Sequence, residues 1–219
     1  LTASFKKQAE WSEKPAYALN DGFYFQNYSD AWTRGHMSTF FKNSLITTLV
    51  ALVFIVFFSV TVGFAVTKMK WKFRNAVAQY FRFGIMIPVA IALIPLFQIY
   101  SRSNLLNTRT CLIITYIAFG LSLSIYLVQG YLRSFPDDIM EAAVIDGCGI
   151  YRLMWHIVTP LMKNSIVTVL VLQFFFKWND LLFSMTFISD SALKTVQTGL
   201  LYFSCLLYTS DAADDSLRV

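Results

Sequence analysis

From Leu45 to Val66 the chain carries no charge and little but apolar side chains, and a run of that length matches the ~20 residues a helix needs to cross a bilayer. Few folds can hold such a segment. Lipid offers nothing to backbone N–H and C=O groups, so the segment must satisfy them internally, as a helix. A second run extends from about Phe83 to Tyr100, interrupted by Pro88 and Pro95, and a third, uncharged, from about Cys111 to Leu132. A fourth, from about Ser165 to Ile188, contains Lys177 and Asp180. Membrane helices tolerate proline where neighbours take up the freed carbonyls, so the second run is expected to be one span with both prolines on one face. Charged residues make up only 14% of the chain, against about 25% in soluble domains. The expected fold is all-α: a polytopic transmembrane helix bundle with spans at 44–67, 82–101, 111–132 and 164–188, placed in the cell (inner) membrane.

Short loops rich in Lys and Arg stay in the cytoplasm. Lys68, Lys70, Lys72, Arg74 and Arg82 crowd the connection after the first run, whereas only Arg102 and Arg109 follow the second. The first connection is therefore inside, the second outside, and the loop 133–163 inside again. Parity puts residues 1–43 outside, where Glu10, Glu13, Asp21 and Asp30 offset Lys6, Lys7, Lys14, Arg34 and Lys42. An outside start at Leu1 leads to the expectation of a spanning helix before it. The stretch from Thr195 to Tyr208 is apolar but too short to span, and residues 206–219 are expected to be a non-native or truncated tail.

A net charge of +5 is accounted for by orientation, since the bases gather beside apolar runs and form no stripe for nucleic acid. Cys111, Cys148 and Cys205 lack Cys-x-x-Cys spacing, and His36 and His156 have no ligand partner at helical spacing, so no disulfide framework or metal site is expected. No nucleophile elbow or paired-carboxylate arrangement points to an enzyme. No Gly-rich stretch ends in Gly-Lys-Ser or Gly-Lys-Thr, so the chain is expected to bind no nucleotide and no other cofactor.

The loop 133–163 is more patterned than a connector requires. Ser134-Phe135-Pro136-Asp137-Asp138 carries a hydroxyl cap candidate, an early proline and first-turn carboxylates, which predicts a helix from about Pro136 to Ile145. Ile139, Met140, Ala143 and Val144 give it an apolar face, with Asp138, Glu141 and Asp146 off it. Gly147 supplies a left-handed turn at no steric cost. A second short helix, Ile150 to Val158, is expected to be broken by Pro160. The pair forms a knob, and composition alone leaves it open whether it lies on the membrane surface, with Arg133, Arg152 and Lys163 at lipid headgroups, or docks a partner.

Glu141-Ala142-Ala143, then Asp146-Gly147, Ile157 and Pro160, resemble the cytoplasmic coupling loop of binding-protein-dependent ATP-binding cassette importers. The match continues in order through Asn43-Ser44-Leu45, Ile87-Pro88, Ile94-Pro95-Leu96, Leu106-Asn107-Thr108, Phe135-Pro136 and Trp178-Asn179-Asp180. The pattern is most similar to maltose-type sugar permeases. That resemblance implies two permease subunits around a translocation path, cytoplasmic ATPase subunits that each receive a coupling loop and use the ATP, and an extracytoplasmic solute-binding protein. It implies contacts to the ATPase from Glu141 and Asp146, a turn at Gly147, and apolar anchors at Ala142, Ala143, Ile157 and Pro160. Cys148 departs from the small residue usual there.

Within the spans, Gln98, Gln173, Lys177, Asn179 and Asp180 are candidates for the solute path, because ionisable groups at membrane depth face a cavity or the bundle interior. Lys177 and Asp180, three apart, are expected on one helix face. Interhelical packing is the competing role for each of them. A membrane scaffold or assembly protein whose loop docks another partner, or a permease for a non-sugar solute, is the alternative reading.

Overall fold

The computed structural model describes residues 2–6, 22–33 and 35–201; the expected non-native tail, Cys205 and most of the charges before Asp30 lie outside them. A helical turn at Thr2–Phe5 and a short helix α1 (Gln26–Thr33) precede α2 (Met37–Thr67). Then come α3 (Arg74–Met86), α4 (Val89–Arg102), α5 (Arg109–Ser134), α6 (Asp137–Ile145), α7 (Ile150–Leu161), α8 (Lys163–Trp178) and α9 (Leu182–Phe187). Residues 196–201 are again helical. The described residues are thus all-helical, as the sequence leads one to expect.

The helix α2 is long and apolar enough to span a membrane, and so is α5; their contact is the most extensive in the fold. The buried face of α2 mixes apolar residues such as Phe40, Leu52, Val60 and Phe64 with many small and polar ones. Asn43, Ser44, Thr47, Thr48, Ala51, Ile55, Ser59 and Gly63 face inward, while Leu49, Val53, Phe54, Phe57 and Phe58 face out. The reason is that lipid tails are as apolar as leucine, so helices associate through small and polar residues that allow close approach. At Gly63 an added Cβ would sit 2.6 Å from Val128 Cγ1, and at Gly120 2.5 Å from Ile55 Cδ1. Two apolar clusters complete the interior, one around Tyr100, Leu112, Tyr116 and Phe187, the other around Phe64, Val128, Leu132, Leu153 and Met154.

The second run does not form one continuous span. It divides at Ile87-Pro88 into α3 and α4, which meet at a bend of 102°. Pro88 drives the residue before it out of the helical region, and Ile87 is extended, at φ −74° and ψ 116°. Pro95 stays inside α4, so the two prolines share no helix.

The fourth run is also interrupted. Helix α8 stops at Trp178, and the polar pair after it terminates one helix and starts the next. Asn179 donates to the Phe175 carbonyl at 2.9 Å, and the Asp180 carboxylate accepts from the backbone N–H groups of Phe183 (3.3 Å) and Ser184 (3.0 Å). Lys177 and Asp180 consequently do not share a helix face.

At the end of the bundle expected outside, Asn107 takes a left-handed conformation (φ 60°) and its side-chain oxygen accepts from Ser189 N and Asp190 N at 3.0 and 2.8 Å. Asn43 donates to the carbonyls of Ala192 and Lys194 and accepts from Arg109. At the opposite end, Lys68 meets the start of α6. The basic first connection and the knob therefore share one side of the bundle, in agreement with the charge parity.

Candidate functional site: the knob and the interhelical cleft

The knob is built as the local sequence dictates, with two differences. Ser134 caps nothing in α6: its hydroxyl donates to the Tyr131 carbonyl at the end of α5, and Pro136 occupies the N-terminal boundary. At the other end, Gly147 has φ +79°, Gly147 N–H bonds the Val144 carbonyl at 3.0 Å and Cys148 N–H bonds that of Ala143 at 2.9 Å. These are the two bonds of a Schellman motif, which satisfies carbonyls the helix end would orphan.

The second difference concerns Pro160. Helix α7 runs past it to Leu161, and the bend to α8, of 76°, comes at Met162. A proline ring crowds the carbonyl four residues back, and the helix widens into a π segment, Leu153–Val158, just before it. Thr159 closes that segment by donating its N–H and its hydroxyl, the latter at 2.7 Å, to the Met154 carbonyl.

Exposure divides the proposed contact residues. Glu141, Ala142, Asp146, Gly147 and Pro160 lie on the surface. Ala143 is buried and Ile157 half-buried, both packed with Leu153 and Met154 on the core below. Val144, assigned to the inward face by its spacing, points outward at 58% exposure, and Ile145 does so at 85%. Helical periodicity could not resolve this, because Met140 and Ala143 suffice to fill the inward stripe. Tyr151, on α7, is also exposed, at 78%.

A cleft of about 370 Å³ opens between α3, the start of α4, α5, α8 and α9. It gathers Gln173, Lys177 and Asp180, and adds Gly84, Tyr116 and Ser122, which sequence reasoning did not single out. Tyr116 donates to Asp180 at 2.9 Å, while Lys177 Nζ lies 5.7 Å from the centre of the Tyr116 ring. Both charged groups thus contact one tyrosine. Gln173 donates to the Gly120 carbonyl (3.1 Å) and to Ser124 (3.0 Å), and its buried Oε1 has no partner. Phe119, Phe176 and Phe183 supply apolar walls. Gln98 and Asn179 are not among the lining residues: Gln98 is exposed on α4, and Asn179 is held by its own helix end and by Gln197. Among the described residues no cluster of His, Cys, Asp or Glu is arranged to hold a metal ion.

Residues 55–204 match the family model described as binding-protein-dependent transport system inner membrane component. The diacetylchitobiose uptake system permease protein NgcG of Streptomyces coelicolor is 30% identical over 96% of this chain and 70% of its own length. The melibiose/raffinose/stachyose import permease protein MelC of Bacillus subtilis is 28% identical over 93% of this chain and 73% of its own. A chain in the crystal structure of a bacterial ABC transporter that imports the acidic polysaccharide alginate superposes with a TM-score of 0.79, at 22% identity, over 90% of this chain and 69% of that one. That superposition supports the helical bundle as a shared fold.

Proposed function

Because this chain belongs to the binding-protein-dependent transport system inner membrane component family, a family of membrane-embedded importer permeases, we propose that it carries a sugar and couples to its ATPase through the surface around Glu141–Gly147. The observation that carries the coupling role is the knob itself. Its Schellman turn fixes the angle between α6 and α7, and it leaves Val144, Ile145, Glu141 and Asp146 facing out. An apolar pair of that exposure, rimmed by carboxylates, suits a partner cleft better than water.

The ATP is used by the partner ATPase subunits, and this chain itself holds no cofactor. A second permease subunit completes the path, and an extracytoplasmic binding protein delivers the solute. Relatives named for diacetylchitobiose and for melibiose, raffinose and stachyose support a carbohydrate cargo. The cleft supports it too, since it combines aromatic walls with hydrogen-bonding groups and with charges of both signs. Gln173, Lys177 and Asp180 are its solute-facing candidates.

The test uses the full transporter in membrane vesicles supplied with candidate oligosaccharides. Glu141→Lys is expected to reverse one charge at the docking surface, so that the ATPase no longer co-purifies and uptake falls at least tenfold while membrane level holds. Undiminished uptake by this variant would remove the docking role, and uptake of amino acids but no carbohydrate would remove the sugar assignment.

A further inference from the structure

Lys68 stands one residue past α2, and its ammonium reaches two acceptors on the knob's leading edge. Lys68 Nζ lies 2.6 Å from Asp137 Oδ1 and 2.9 Å from the Phe135 carbonyl, and 5.9 Å from the centre of the Phe135 ring. Its backbone N–H bonds the Phe64 carbonyl at 2.8 Å, which ties the residue to the last turn of α2. Phe135 and Asp137 flank Pro136, which sits between the end of α5 and the first turn of α6. A hydrogen-bonded link therefore joins the first span to the point where the chain enters the knob.

We propose that Lys68 is a positioning residue for energy coupling: it makes α2 move with the knob when the ATPase displaces α6, so that the thrust is shared between α2 and α5. This rests on the docking role of the knob proposed above. The side chain of Asp137 is 67% exposed while that of Lys68 is 9% exposed, and an ion pair open to water on one side adds little to stability. What the two acceptors do fix is proximity: the Phe135 carbonyl and the Asp137 carboxylate hold one ammonium, on a side chain 9% exposed, between the end of α2 and the start of the knob. Without the link, the knob still packs on α2 through the apolar cluster of Phe64, Leu132, Phe135 and Ala143 and through the stacking of Trp155 on Phe57, contacts that are non-directional.

The experiment measures solute taken up per ATP hydrolysed, using the complete transporter in proteoliposomes with its binding protein. Lys68→Met is expected to leave the ATPase bound and hydrolysing while solute moved per ATP falls at least fivefold. Lys68→Arg is expected to keep the ratio within twofold of the parent. The reversed pair, Lys68→Asp with Asp137→Lys, is expected to recover at least half of what Lys68→Asp alone loses. Asp137→Asn, a surface change that keeps the Phe135 bond and the fold, should lower the ratio by an intermediate factor.

An unchanged ratio in Lys68→Met, or in Asp137→Asn should Lys68→Met fail to assemble, overturns the proposal. Loss of ATPase binding on Glu141→Lys, together with an unchanged ratio on Lys68→Met, would leave the docking role standing and remove only the strut. Docking failure in Glu141→Lys is read by co-purification, and strut failure by the ratio in assembled complexes, so the two are distinguishable.

Discussion

Asn43 has no exposed surface, and the outer end of the bundle closes on it. Its Nδ2 serves the carbonyls of Ala192 and Lys194, at 2.9 and 3.0 Å, and its Oδ1 receives Nε and a terminal nitrogen of Arg109 at 3.0 and 2.8 Å. Alanine there strands those groups, at about 1–3 kcal/mol for each one left buried and unpaired. Asn43→Ala is therefore expected to lower the unfolding temperature of the purified protein in detergent by several degrees; an unaltered transition would show that water replaces the clasp. Gln173 poses the opposite case, a buried acceptor with nothing to accept. Gln173→Met keeps the length of the side chain and removes its polarity, and is expected to reduce sugar uptake several-fold with the protein still in the membrane. Full uptake by that variant would take Gln173 out of the path. Neither residue's partners were legible from sequence, because Asn43 bonds residues about 150 positions away and Gln173 bonds α5 across the bundle.

Among the elements, the knob is the one most fully written in local sequence. Pro136, Asp137 and Asp138 start α6, Gly147 ends it, and the structure has a helix within a residue of the expected bounds. Gly147 also offers a graded test. A Cβ there meets nothing within 4 Å, so alanine bears only the cost of a positive φ, about 1–2 kcal/mol. Proline cannot reach φ +79° and lacks the N–H that bonds Val144. Gly147→Ala is expected to retain most ATPase co-purification and Gly147→Pro to lose nearly all of it; equal retention by both would mean that the turn does not set the docking angle. The broken second and fourth runs were less legible. Pro88 and the Asn179-Asp180 pair were visible as residues, yet membrane helices pass through proline often enough, as α4 does at Pro95, that the residue alone does not decide between a kink and a break. The bend is decided by whether neighbouring helices offer a place for each half.

At the scale of the whole molecule, the bundle is a device in which one end is tied by asparagines and the other carries the knob, with the cleft between. The sequence by itself determined that the chain is helical and membrane-embedded, where its apolar runs lie, and which connections share a side. Those properties follow from length, hydropathy and charge, and each is local to a segment. It also placed the knob, since caps and turns are short-range chemistry. Only the tertiary structure decided which residues face inward: in spans apolar all round, a face is chosen by the helix packed against it, and here Ser59, Gly63, Phe64 and Ser124 turn in while Phe54, Phe57 and Phe58 turn out. Tertiary structure likewise moved Ala143 under the knob and Ile145 onto it, brought Lys177 and Asp180 both against Tyr116, and brought Lys68 to Asp137 across 69 positions of chain. Contacts of that kind depend on how whole helices are arranged in space, which no window of sequence contains.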